Sequence, residues 1–230
     1  MRSWDRLPQE LRTEEVRPYY VILKGKPVQR FVKRGFDIVM SALMLIVFSP
    51  LFLVLAALVG LGSKGGVFFR QVRVTRYGKQ FRIVKFRTMV KNAEKLGTQV
   101  TVGEDARITG IGRFLRKYRL DELPQLFNVL IGQMSFVGTR PEVVRYVDHY
   151  TDQMKATLLQ SAGITSVASI RYKDEDKILG AAEDPERAYI EQVLPQKMKY
   201  NLEQLRSFGL INDISTMIKT VTGVLKRGEQ

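Results

Sequence analysis

A chain of 230 residues with no cysteine and a single histidine, His149, excludes disulfides, thiolate metal sites and a cysteine nucleophile, and argues against a histidine triad or a zinc cluster. Its 37 Lys and Arg against 23 Asp and Glu leave a formal charge of +14, and fifteen of those cations lie between Lys64 and Arg119, opposed only by Glu94, Glu104 and Asp105. A block so dense seeks phosphate, on lipid headgroups, on nucleic acid or on a small phosphorylated substrate.

Residues 1–30 mix Trp4, Asp5, Glu10, Glu14 and Glu15 with basic residues and hold no short apolar core leading to a cleavage site, so they do not read as a secretory signal. Pro8, Pro18 and Pro27 limit any helix there, and the expectation is a poorly specified cytoplasmic arm.

Residues 31–63 read as the membrane segment. Within it, Ile38 to Leu61 is an uncharged apolar run broken by Ser49-Pro50. At ~1.5 Å of rise per residue the run reaches about 36 Å, enough to cross a hydrocarbon core of roughly 30 Å. Pro50, however, lacks an amide proton and crowds the carbonyl of Ile46, so the helix bends or breaks there. Lys24, Lys26, Arg30, Lys33 and Arg34 precede the run, while Lys64, Arg70, Arg73 and Arg76 follow it. The positive-inside tendency cannot place both groups in the cytoplasm if the helix crosses. A re-entrant helix-break-helix can, each arm extending about 16 Å, with Ser49 available to bond a backbone group freed at the break. On these residues alone the two topologies stand level, because kinked spanning helices also tolerate proline.

Residues 64–230 suffice for one globular domain with its own core. VFFRQVRV and QFRIVKF, joined by TRYGK, predict a β-hairpin. Lys91 to Glu104 reads as a loop, a natural mobile flap beside a site. Gly112 to Tyr118 predicts a short basic helix, and Leu123, Leu126, Phe127 and Leu130 recur at helical spacing until Gly132 ends the pattern. Pro141 restarts helical sequence through about Gln160, AGITSVASIRY reads as extended, and Glu186 to Leu205 as helical with an interruption near Pro195. From Leu210 an apolar stripe of Ile211, Ile214, Met217, Ile218, Val221 and Leu225 opposes a polar face of Asn212, Asp213, Ser215, Thr216, Lys219 and Thr220. This amphipathic helix either packs its stripe on the domain core or inserts it at a membrane interface.

Without thiols, and with one histidine, the credible reactive groups are carboxylates. Asp121-Glu122 is the pair in the most basic surroundings, just after Arg113, Arg116, Lys117 and Arg119. Nearby cations favour the ionised carboxylate and attract phosphate, so the pair can supply a nucleophile and a divalent-metal ligand. The plain alternative is a helix start, where acidic residues meet the macrodipole. In VGTRPE, Gly138 permits an unusual turn, Arg140 offers a planar fork for phosphate and Pro141 fixes the chain direction; a structural Arg–Glu pair competes with that reading. Lys85 and Arg87 flank Phe86 on one strand face, suiting either a phosphate-lined groove or a solvated edge.

Together KRGFD (Lys33 to Asp37), the Ser-Pro-broken run, QVRVTRYGKQFRIVKFRTM (Gln71 to Met89) and DARITGIGRFLRKYRLDELPQLFNVLIGQMSFVGTRPE (Asp105 to Glu142) resemble the bacterial sugar transferase family, the monotopic phosphoglycosyl transferases. The resemblance reaches about Val224 and leaves out the first thirty residues. It implies a mainly α fold with a small β-hairpin, a re-entrant segment entering and leaving on the cytoplasmic face of the bacterial inner membrane, and amphipathic helices at the interface. It implies a catalytic Asp121-Glu122 dyad with Mg²⁺ on Glu122, phosphate binding by Arg140, Lys85 and Arg87, a break at Ser49-Pro50, and Lys33, Arg34 and Asp37 fixing the segment's ends. The implied partners are a UDP-sugar, polyprenyl phosphate and the membrane, with no nucleic acid; a homo-oligomer is left open. Two departures stand out: Thr139 replaces the first proline of a Pro-Arg-Pro turn, and Thr75 a usual hairpin glycine. The competing expectations are a membrane-tethered basic module for acidic lipid or nucleic acid, and an anchored scaffold. The sugar is not spelled out, although Asp174 to Asp184 and the loop from Lys91 are candidates to select it.

Overall fold

The computed structural model describes residues 1–93, 105–172 and 175–228. Most of the expected flap at 91–104, and Asp174 of the candidate sugar-selecting segment, lie outside the described residues. Helix dominates, as expected, and the described strands form two small sheets.

The arm is not poorly specified. Two single 3-10 turns, Trp4–Arg6 and Gln9–Leu11, lead into α1 (Arg17–Lys24). Leu7, Leu11, Val16, Tyr19, Tyr20 and Leu23 are buried against Ala156, Leu159, Leu202, Leu205 and Phe208. The prolines do not limit helix here because Pro18 and Pro27 occupy first-turn positions, where the missing amide proton has no intrahelical acceptor to lose. This segment is therefore part of the fold.

The apolar run folds as α2 (Pro27–Val47) and α3 (Ser49–Gly62), bent by 64° at Phe48. No single described helix is long and apolar enough to cross a membrane, but this bent pair qualifies by length and composition. Ser49 Oγ donates to the Ile46 carbonyl at 2.8 Å, the group that Pro50 deprives of a partner. On the inner side Phe36, Met40, Met44, Leu45 and Phe52 pack against a core of Phe81, Ile83, Leu126, Val129, Met134, Phe136 and Val137. The outer side stays bare, with Phe31 81% and Leu61 88% exposed.

The hairpin is as predicted: β1 (Phe68–Val74) pairs antiparallel with β2 (Gln80–Phe86), Phe68 opposite Phe86. Left-handed conformations fall on Tyr77 and Gly78, at φ 62° and 72°, not on Thr75. Thr75 instead donates its hydroxyl to Gln133 O at 2.7 Å and accepts from Ala162 N at 3.1 Å, bonds a glycine cannot make. Next come α4 (Gly110–Lys117), capped by the Thr109 hydroxyl, then α5 (Gln125–Leu130), closed at Gly132 with φ 86°.

A second sheet was not expected. β3 (Met134–Val137) pairs in parallel with β4 (Ala162–Thr165), the latter being the extended AGIT. Helices α6 (Val144–Val147) and α7 (Asp152–Lys155) connect them, and α8 (Val167–Arg171), α9 (Glu175–Gly180) and α10 (Pro185–Ala188) follow. The sheet brings Gly138 and Gly163 together so closely that a Cβ on Gly163 would sit 2.1 Å from Gly138 N. Gly138 has no left-handed φ, so close backbone approach, not an unusual turn, demands glycine there. The interruption expected near Pro195 falls earlier, as a π-turn at Tyr189–Val193, and Pro195 sits in the first turn of α11 (Leu194–Arg206).

The final helix, α12 (Leu210–Gly228), docks by its polar face. Asp213 and Thr216 are buried, Asp213 pairs with Lys33, and Thr220 hydrogen-bonds Thr165 at 2.7 Å. Ile211, Ile218 and Val221 face outward, Ile211 83% exposed. Packing of the whole stripe on the domain core is thus ruled out; of its described members only Met217 lies against the central cluster.

Candidate active site

The Asp121-Glu122 pair lies in a one-turn 3-10 segment, Leu120–Glu122, between α4 and α5. The preceding residue, Arg119, takes a left-handed conformation at φ 57°, uncommon for a non-glycine residue. Pro124 then leads directly into α5, so the acidic residues do precede a helix, but their side chains do not cap it: neither serves as its N-cap acceptor.

Glu122 is clasped by cations from three places. Its Oε1 receives Arg140 Nη2 at 2.5 Å and Lys85 Nζ at 3.2 Å, with Arg119 Nη1 at 3.6 Å, and its Oε2 receives Arg140 Nη1 at 3.2 Å. The fork of Arg140 thus meets the carboxylate bidentately, and the Arg–Glu pair that sequence offered within VGTRPE is made to Glu122 instead. Burial alone would raise the Glu122 pKa, but Arg140, Lys85 and Arg119 outweigh it and hold the carboxyl well below its usual range. The same pairing raises Arg140, while burial lowers Lys85.

Asp121 is the opposite case. It is 7% exposed, and its Oδ1 is buried without a hydrogen-bond partner among the described residues. Burial first, and the adjacent Glu122 charge second, push its carboxyl upward, against the pull of Lys85, Arg116 and Arg119. One carboxylate is held ionised and immobile, and its neighbour carries an unengaged oxygen in a strongly positive setting. That division suits nucleophilic attack on a phosphorus whose oxygens the cations receive.

For a divalent metal the donor set is small. Among the described residues no group of three or more Asp, Glu or His could hold an ion. Mg²⁺ commonly takes one or two carboxylates and completes its shell with water and substrate phosphates. The carboxylate oxygens that could be offered to such an ion are Glu122 Oε2, which carries one guanidinium among the described residues, and the orphaned Asp121 Oδ1.

Arg87 stands apart from this group. Its guanidinium donates to Ser63 O at 2.7 Å, Ser63 Oγ at 2.9 Å and Lys64 O at 3.2 Å, closing the carboxyl end of α3. The other end of the bent pair is held by the KRGFD residues. Lys33 donates to Val137 O at 3.0 Å and pairs with Asp213; Asp37 accepts from Phe136 N at 3.3 Å. Arg34 donates to Val129 O at 2.6 Å and Leu130 O at 2.8 Å, capping the far end of the helix that begins beside the dyad.

Asn128 was missed by sequence reasoning. It accepts from Val84 N at 3.0 Å and donates to Arg82 O at 2.9 Å, stapling α5 to the strand that carries Lys85. A lone Asn in the middle of an apolar helical run, LFNVL, is the signal that marks it. Glu142, offered by sequence only as the Glu of an Arg–Glu pair within VGTRPE, has other partners; its Oε1 accepts from Tyr189 at 2.6 Å, and Arg73 and Lys197 lie within 3.9 Å of its carboxylate. Nothing local in sequence announces Tyr189 or Lys197.

A family profile described as Bacterial sugar transferase matches residues 28–227. A relative from Aeromonas hydrophila, named UDP-N-acetylgalactosamine-undecaprenyl-phosphate N-acetylgalactosaminephosphotransferase, is 36% identical over 206 residues, covering 88% of this chain and 46% of its own. A Klebsiella pneumoniae protein named UDP-glucose:undecaprenyl-phosphate glucose-1-phosphate transferase is 37% identical over 220 residues, 91% of this chain and 44% of its own. The chain thus spans less than half the length of these two. An exopolysaccharide production protein, ExoY, of Sinorhizobium fredii is 30% identical over 219 residues, 88% of this chain and 90% of its own.

Proposed function

The chain belongs to the bacterial sugar transferase family, and from that premise we propose that it transfers a phosphosugar from a UDP-sugar to undecaprenyl phosphate, giving polyprenyl diphosphosugar and UMP. The observation that carries the reading is the asymmetry of the dyad, with Glu122 locked by Arg140, Lys85 and Arg119 and Asp121 left with a free oxygen.

A carboxylate oxygen of Asp121 attacks the β-phosphorus of the UDP-sugar. The bond from that phosphorus to the bridging oxygen breaks, and UMP leaves with the electron pair. An oxygen of the lipid phosphate then attacks the same phosphorus, and the aspartyl oxygen departs with its electrons, restoring Asp121. Arg140, Arg119 and Lys85 surround both steps and offset the negative charge that otherwise repels a carboxylate from a diphosphate. Mg²⁺, held by Glu122 with help from the Asp121 carboxylate, would supply Lewis-acid polarisation of phosphate oxygens when bound.

The exposed apolar surface supports placing the protein at a membrane. The bare outer faces of α2 and α3, Ile211, Ile218 and Val221 of α12, and Phe114, Phe127 and Ile131 on either side of the dyad in sequence all leave apolar surface exposed. We take the bent pair as re-entrant from the cytoplasmic face, because cations flank both its ends. A lipid phosphate can then reach Asp121 without leaving the bilayer, while the nucleotide sugar arrives from water. The test is purified protein with Mg²⁺, undecaprenyl phosphate and a panel of UDP-sugars, read as UMP release. Release with one sugar of the panel, dependent on the lipid phosphate, supports the reading; none with any sugar overturns it.

A further inference from the structure

The segment ahead of the family match builds a second, separate concavity. It measures about 460 Å³ and is lined by Trp4, Arg17, Tyr20, Val21, Lys24 and Gly25, within the size range of small-ligand sites. All six residues precede position 28, where the family match begins.

Trp4 and Tyr20 meet edge to face, their centroids 5.0 Å apart, and the Tyr20 hydroxyl donates to Arg2 O at 3.2 Å. Two cations stand over these rings. The Arg17 guanidinium carbon lies 6.0 Å from the Trp4 centroid and the Lys24 ammonium 5.5 Å from that of Tyr20. Lys24 has no ion-pair partner among the described residues. Arg17 has only the exposed Glu14, at 3.3 Å, a surface pair of little energy that leaves most of the guanidinium protons unused. Apolar surface is also exposed here: Val21 in the lining, and Val28 and Phe31 in α2 just beyond the short Gly25-Lys26 joint, are all more than half exposed. Aromatic rings, free cations and exposed apolar surface are what the headgroup layer of a bilayer favours.

We propose that this concavity holds the phosphodiester headgroup of an anionic membrane phospholipid. Arg17 and Lys24 receive the phosphate, Trp4 and Tyr20 form the floor, and Val21, Val28 and Phe31 meet the first acyl carbons. A headgroup carrying its own ammonium is disfavoured, because it brings a like charge to the two cations. The inference rests on the membrane reading above, but it concerns a site that the transfer chemistry does not use.

Trp4 is the chain's single tryptophan, so its fluorescence reports on this concavity alone. The full chain in neutral detergent is titrated with dihexanoyl phosphatidylglycerol, dihexanoyl phosphatidylcholine and sodium phosphate. A saturable change in Trp4 emission with the phosphatidylglycerol, and none with the other two at the same concentrations, is the expected result. Arg17→Gln with Lys24→Gln raises the half-saturation concentration about 30-fold, and Lys24→Gln alone, at an exposed position, about fivefold. Equal responses to the two lipids, no response to any probe, or unchanged half-saturation in both variants overturns the proposal. A match between inorganic phosphate and the phosphatidylglycerol makes this a free-anion site and overturns the lipid assignment. None of these readouts depends on UDP-sugar turnover, so failure here leaves the transferase reading standing, and loss of UMP release leaves this one standing.

Discussion

Replacing Arg140 by Gln perturbs the dyad at its strongest contact. Arg140 supplies two of the bonds on Glu122, including the only one on Oε2 among the described residues, while Lys85 and Arg119 remain on Oε1. Stranding a buried charge completely costs about 3–5 kcal/mol. With two cations left in place the loss is closer to that of one charge-assisted hydrogen bond, about 2 kcal/mol. For a chain of this length that corresponds to a fall in Tm of roughly 4–8 °C. The penalty is specific in pH. The folded Glu122 pKa lies well below its ordinary value of 4.5, so its stabilisation is full above that value and is lost as pH falls through the folded pKa. The gap in Tm between wild type and Arg140→Gln is therefore widest near neutrality and closes in acid. Circular-dichroism melts in detergent from pH 7 down to about pH 2, well below the ordinary value, measure it. A gap that is absent at pH 7, or that does not narrow on acidification, refutes the assignment of Arg140 as the ionic partner of Glu122.

Asp121→Asn abolishes UMP release, by about 10⁴-fold or more, and does not lower Tm, because it removes a buried like charge beside Glu122; retained turnover rejects the nucleophile. Gly163→Ala drives a methyl group into Gly138 N and shifts the loop carrying Arg140, so both Tm and kcat/KM fall; wild-type values for both would sink the close-approach argument. Ile218→Asp on the outward face of α12 weakens flotation with phosphatidylglycerol vesicles without lowering Tm, whereas a large Tm loss would mean that this face is packed against protein.

Local chemistry was readable in advance and long-range pairing was not. Pro50 dictates the bend through atoms within one helical turn, and Ser49 answers it there, so both could be inferred from neighbours in sequence. The hairpin is likewise local. The cation excess around Asp121 was visible, but its distribution was not: Lys85 and Arg140 come from a strand 37 residues before Glu122 and a loop 18 residues after it. Arg87, two residues from Lys85, turns instead to Ser63 and Lys64. The parallel β3–β4 pair depends on Gly138 meeting Gly163, a close approach that glycine permits but does not announce. In α12 the periodicity was legible but left two facings open, and the choice between them was not local: Lys33, 180 residues away, gives Asp213 an ionic partner inside.

The bonds from Arg34 to the last carbonyls of α5 mean that the bent helix pair and the helix leaving the Asp121-Glu122 turn form a single mechanical piece. Phe36, Met40, Met44 and Phe52 also supply one wall of the cluster on which α5 lies. A soluble fragment engineered to start after residue 63 would strip that wall and leave the Val129 and Leu130 carbonyls uncapped. Keeping residues 27–62 attached is thus a condition for purifying this protein with the Asp121-Glu122 turn intact.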